Sequence, residues 1–225
     1  MQRKAAFFDV DGTLTTGRVW RGIMDYFQQR GERRLINFLF WARHMPIYVA
    51  FKLKLVNQSA FRRPWAANLP TYLRGYTVEE AQAIWDYVVD DYLPPLLRPD
   101  ALDLTRQHKQ AGDLVVLVSA GPTPLEERIA AAVGADLAVG TDPEVVEGRY
   151  TGRSRGPVCM DEYKALLTLD KLNALGIEVD LDASHAYADS AGDVGLLEMV
   201  GHPVALHPDA HLRLIAEARG WRIME

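Results

Sequence analysis

Cysteine is nearly absent: Cys159 is the one thiol in 225 residues. That excludes an intrachain disulfide framework and a cysteine-rich zinc cluster, and it suits a reducing cytoplasm. Positive charge is also in deficit. Lys and Arg number 25 against 30 Asp and Glu, a formal net charge of -5. Nothing therefore draws the whole chain to nucleic acid, whose binding rests on Lys and Arg neutralising backbone phosphates. Long apolar runs are missing as well. The most apolar tract, 35–56, is interrupted by Asn37, Arg43, His44, Pro46, Lys52 and Lys54, so no transmembrane segment is expected. The apolar stretch behind the basic Met1-Gln2-Arg3-Lys4 ends at Asp9, too early for the core of an export signal.

What is present is an ordinary globular composition, 48% hydrophobic and 24% charged, enough for one large domain or two small ones. Ala5-Ala6-Phe7-Phe8 runs into Asp9 and the turn-forming Asp11-Gly12, which predicts a short buried strand ending in a tight turn. Leu114 to Val118 predicts a second buried strand with Ser119 at its C-terminal end. A helix over Thr123 to Val133 and a further apolar segment over Asp136 to Val139 follow it. Ala186 to Ala188 and Pro203 to Leu206 read as central strands, with helices around Tyr163 to Leu175 and Ala210 to Arg219. Such alternation implies an α/β fold, a doubly wound parallel sheet with ligands outside the carboxyl ends of its strands. Residues 16–98 differ. They carry helix-like patterns, four of the five tryptophans and no convincing strand, and they end in the proline-punctuated Tyr92 to Pro99. We read 16–98 as an inserted helical cap on a core formed by 1–15 and 99–225.

Two aspartates at a strand end are by themselves no more than a turn with two acids. The order in which other motifs follow changes that. Asp9-Val10-Asp11-Gly12-Thr13 is followed by Val118-Ser119-Ala120, then Lys164, then Ala188-Asp189-Ser190-Ala191-Gly192-Asp193. In this order the set resembles the haloacid dehalogenase superfamily of phosphatases, above all its phosphoserine-phosphatase-like branch with a helical cap after the first motif. The resemblance implies a phosphomonoester hydrolase working through an aspartyl-phosphate. Asp9 would be the nucleophile and Asp11 the general acid and base. Mg2+ would be held by the side chains of Asp9 and Asp189 and the backbone carbonyl of Asp11, with Asp193 orienting or water-bridged. Ser119, Ala120, Thr13 and Lys164 would form the phosphate-binding set, with Lys164 preferred over Lys171 because it lies at the expected helix start.

Two features bear on the substrate. The branch carries a glutamate nine residues after the nucleophile to meet the ammonium of phosphoserine, whereas this chain has Arg18. Arg18, and Arg62 and Arg63 beside Phe61 and Trp65, are the candidates for meeting a further anionic group. The apolar tract Phe38 to Trp41, continuing through Ile47 to Phe51, could form the cap's own core, line an apolar pocket, or give a peripheral membrane or lipid contact. The expected partner is thus a small or partly apolar phosphomonoester. A phosphotransferase or mutase using the same aspartyl-phosphate, phosphoserine phosphatase proper, and a binding module that keeps the fold are the alternatives.

Overall fold

The computed structural model describes residues 3–56 and 58–225. Its centre is β1 (Ala5–Asp9), in which all five residues are buried. A strand covered on both faces reads as a continuous apolar run rather than an alternating one, and AAFFD has that character up to its last residue. Beside it run β2 (Leu114–Pro122) and β3 (Leu137–Thr141) on one side. On the other side lie β6 (His185–Ala188), β7 (His202–Leu206) and β8 (Arg222–Met224). The six strands are ordered β3-β2-β1-β6-β7-β8, and all the pairings are parallel. The register sets Asp9 opposite Val118.

Successive side chains of a strand point to opposite faces, and each face here has its own core. Ala6, Phe8, Val115 and Leu117 join one cluster; Ala5, Phe7, Leu114 and Val116 join the other. Helices α5 (Pro99–Gln110), α6 (Thr123–Val133), α7 (Glu162–Ala174), α8 (Val194–Glu198) and α9 (Ala210–Arg219) connect or follow the strands. The helices over 123–133 and 210–219 start and stop where the sequence signals place them. Gly134 and Gly220, both at positive φ, close these two helices. Neither α5 nor α8 was expected, nor a hairpin and an edge strand. A hairpin of β4 (Pro143–Val146) and β5 (Arg149–Ser154) turns through Glu147 and Gly148, both at positive φ. The edge strand β8 adds the sixth parallel strand.

Between Trp20 and Leu96 the described residues form helices and no strand. The helices are α1 (Trp20–Gln29), α2 (Arg34–Lys52), α3 (Gln58–Asn68) and α4 (Val78–Tyr87), with a 3-10 turn over Leu69–Leu73. Thr77 and Glu80 close a reciprocal capping box at the start of α4. Phe27, Phe40, Trp65, Tyr72, Ile84 and Trp85 are buried among these helices. The outgoing and returning chains lie side by side: Thr16 N–H donates to the Leu96 carbonyl at 2.8 Å, and Arg98 N–H to the Leu14 carbonyl at 2.9 Å. Across the cleft Arg63 pairs with Asp161 at 2.7 Å and with Glu162. No helix among the described residues is long and apolar enough to cross a membrane.

Candidate active site

The end of β1 and the loop after it aim two carboxylates, Asp9 and Asp11, at one cleft. Leu14 N–H returns to the Asp9 carbonyl at 3.3 Å and Thr15 N–H to the Val10 carbonyl at 3.0 Å, which curls the chain back over the strand end. Gly12 adopts φ +115°, and a Cβ there would run into the Asp189 carboxylate. Only glycine meets both demands. Asp11 is fixed by the Val19 N–H, which donates to its Oδ1 at 2.7 Å.

Both oxygens of Asp9 are bound. Oδ1 accepts from Lys164 Nζ at 2.5 Å and Oδ2 from the Thr13 hydroxyl at 3.0 Å. Lys164 also pairs with Asp193, whose other oxygen accepts from the Ser190 hydroxyl at 2.6 Å. All of these side chains are buried. Asp9, Asp189 and Asp193 each bring an oxygen within 4.8 Å of the others.

Charge distributes unevenly over this group. Burial raises the Asp9 carboxyl, but Lys164, with help from Arg18 and Thr13, outweighs it and holds the pKa below the usual carboxylate range. Asp11 is pushed up to about 6, chiefly by burial, with Arg18 and the Val19 N–H opposing. Burial and the charges of Asp9 and Asp193 push Asp189 up to about 8. Burial likewise raises Asp193, against the pull of Lys164. Fully ionised, Asp9, Asp189 and Asp193 would carry more negative charge than Lys164 neutralises. Three carboxylate oxygens at this spacing, one of them driven towards protonation by its neighbours, form a donor set that suits a hard divalent cation.

Ser119 and its neighbours sit where β2 loses regular pairing, between Val118 and Pro122. The buried Ser119 hydroxyl does not cap α6, whose N-cap is Pro122; it accepts the Gly121 N–H at 3.1 Å. That amide thus has a partner already, while Ala120 and Gly121 face the cleft. The Thr13 hydroxyl is directed at carboxylates, Asp9 and, at 3.4 Å, Asp189. Arg18 does not point to solvent: it donates to the Asp11 carbonyl oxygen at 2.6 Å and lines the cleft with Arg62. Burial and the adjacent Arg18 hold the Arg62 pKa below the usual arginine value. Lys171 lies away from this group, 3.9 Å from Glu127 on the surface. His207 faces Asp100 at 2.6 Å.

Two contributions were not foreseen from the sequence. Glu126, in the first turn of α6, is buried beside Ser119 and Gly121, and burial pushes it up to about 8. A Cβ on Gly121 would collide with its carboxyl group. Arg98 donates to the Gly12 carbonyl at 3.2 Å and so braces the loop that carries Asp11. Of the three readings of the apolar tract, the pocket holds for part of it: a cleft of about 420 Å³ extends from Asp9 and Asp11 under the cap between Trp20, Trp41, Tyr48, Phe51, Phe61 and Trp65. Spacing agrees with this. Phe61 and Trp65 are four residues apart and Trp41 and Tyr48 seven, which puts each pair on one helix face.

Residues 6–198 match the model of the haloacid dehalogenase-like hydrolase family. The chain belongs to that family. It is 33% identical over 235 residues to the phosphoserine phosphatase SerB1 of Mycobacterium tuberculosis, an alignment covering 98% of this chain and 70% of that protein. A histidinol-phosphatase of Neisseria meningitidis is 29% identical, with 99% and 98% covered. Among solved structures, a protein from Bordetella pertussis superposes with a TM-score of 0.85 at 31% identity over 100% of this chain and 99% of that one. A substrate-bound phosphoserine phosphatase shares the fold, with a TM-score of 0.63 at 18% identity and 100% and 94% covered. Family and relatives together make the chain a phosphatase enzyme.

Proposed function

We propose that the chain is a Mg2+-dependent phosphomonoesterase that forms an aspartyl-phosphate on Asp9 and acts on a partly apolar substrate admitted by the cap, residues 16–98. One observation carries the chemistry: two aspartates facing one cleft with pKa values displaced in opposite directions, Asp9 down and Asp11 up to about 6. Carboxylates separated in this way divide into a nucleophile and a proton carrier.

The Asp9 carboxylate attacks phosphorus as the ester P–O bond breaks, and Asp11 gives its proton to the departing alkoxide. Water then attacks the same phosphorus, Asp11 takes its proton, and the Asp9–phosphorus linkage breaks to release inorganic phosphate. Lys164 keeps Asp9 ionised and faces the charge that develops on the phosphoryl oxygens. Ser119 and Ala120 bound the phosphate on the side of β2. Asp9 and Asp189 would hold Mg2+ and Asp193 would orient it; the Asp11 carbonyl, the third ligand that the resemblance implies, here accepts from Arg18. When bound, the cation supplies Lewis-acid neutralisation of the phosphoryl oxygens.

The substrate class follows from what lines the cleft. Its acids are Asp9, Asp11 and Asp193 of the reaction centre and Asp161, which pairs with Arg63. With Arg18 at the position of the ammonium-binding glutamate, no acid is left over to recognise an amino group, which counts against phosphoserine. Aromatic walls favour an apolar substituent. Burial of four methylenes at about 0.8 kcal/mol each favours an alkyl phosphate over a polar analogue by about 3 kcal/mol, roughly two-hundredfold in kcat/KM.

Purified chain with Mg2+ should hydrolyse members of a phosphomonoester panel that includes phosphoserine, histidinol phosphate and a lysophospholipid. Acid-quenched protein should carry one phosphoryl group, absent in Asp9→Asn and accumulating in Asp11→Asn. Turnover retained in Asp9→Asn, or none across the panel, would end the proposal. A preference for phosphoserine would remove only its substrate half.

A further inference from the structure

Helix α2 behaves as a cap helix on its inner face only. There Phe40 and His44 are buried, and Trp41, Tyr48 and Phe51 line the cleft. The outer face of such a helix is ordinarily polar. Here Leu35, Phe38, Leu39, Met45, Val49 and Leu53 recur at helical spacing along it, and all are exposed, Leu35 at 69% and Phe38 at 66%. At 1.5 Å per residue this stripe is about 27 Å long, more than scattered surface leucines would produce.

Charge around the stripe has one sign. Arg34 and Lys52, eighteen residues or five turns apart, share one edge; Arg43, midway between them, falls on the other. The helix contains no Asp or Glu. From Arg30 to Val56 six basic residues stand against the single acid Glu32, in a chain whose net charge is -5. A second copy laid on this face would bring Arg34, Arg43 and Lys52 against their own counterparts with no carboxylate of the helix between them. An anionic surface is the complement the charges call for. The helix does not reach the length and apolarity of a membrane span, so it would lie on a bilayer rather than cross it.

We propose that the outer face of α2 docks on an anionic lipid bilayer, with the apolar stripe seated at the acyl boundary and Arg34, Arg43 and Lys52 among the headgroup phosphates. Trp41 is 39% exposed at the border of the stripe and also lines the cleft, so the docked face adjoins the entrance to the reaction centre. Docking goes beyond the phosphatase reading and does not depend on it, because binding is measured without turnover.

Co-sedimentation of the full chain with vesicles tests it. Vesicles of phosphatidylcholine with phosphatidylglycerol should retain the protein, and phosphatidylcholine alone, or about 1 M salt, should weaken retention roughly tenfold or more. The double variant Phe38→Glu/Leu39→Glu should lose binding by a similar factor while keeping its circular dichroism and its turnover of a small water-soluble phosphomonoester. Three results would overturn the proposal: no binding to anionic vesicles, equal binding by the variant, or a lipid-free dimer of the native chain that the variant converts to monomer.

Discussion

Glu126 gives a sharp test of how burial sets charge beside the reaction centre. In the unfolded chain its pKa is near 4.5, and in the folded protein burial raises it to about 8. Between those two pH values the folded state binds the proton and the unfolded state does not. Stability therefore falls as pH rises through this window; the contribution is fully present below about 4.5 and lost above about 8. At about 1.4 kcal/mol per pH unit, the loss approaches about 4 kcal/mol by pH 8. Glu126→Gln keeps the shape of the group and removes the titration. The difference in unfolding free energy, variant minus native chain, should thus grow by about 4 kcal/mol in favour of the variant between pH 5 and pH 8. Denaturant unfolding of both proteins at several pH values, with chelator present, measures it. Asp189, also raised to about 8, contributes equally to both proteins and cancels in the difference. Parallel pH profiles for the two proteins would refute the reasoning.

Other outcomes follow from the same geometry. Lys164→Met leaves Asp9 and Asp193 buried without their shared cation, and without Mg2+ it should cost about 3 to 5 kcal/mol in denaturant unfolding. Gly12→Ala places a methyl group on the Asp189 carboxylate at a φ that alanine avoids; a destabilisation of about 1 to 3 kcal/mol and weaker Mg2+ binding by calorimetry are expected. Cys159 is fully buried and its thiol is pushed up to about 12 by burial, so iodoacetamide at pH 8 should leave the native protein unlabelled and modify it completely in denaturant.

The legible part of this molecule was its backbone logic. Short apolar runs ending in Asp9, Ser119 and Asp189 marked strands whose carboxyl ends meet, because a parallel sheet buried on both faces needs continuous apolar strands. The hairpin of β4 and β5 left little pattern because its β-formers come only in two short pairs, the exposed Val145-Val146 and Tyr150-Thr151, and its turn rests on Glu147 at positive φ. Strand β8, three residues long and half-buried at the sheet edge, left no pattern to read.

The sequence by itself determined the carboxylate pair, the order of the motifs and the helical nature of residues 20–96, since each is encoded by neighbours within a few positions. Tertiary structure decided the rest. Lys164 meets Asp9 across 155 residues, and no spacing rule carries that distance. The apolar tract of α2 had three readings, cap core, pocket wall or surface contact. The fold shows Phe40 buried, Tyr48 and Phe51 on the cleft and Phe38 facing outward. Periodicity can assign residues to helix faces, but what each face meets depends on where the other helices and the sheet come to lie.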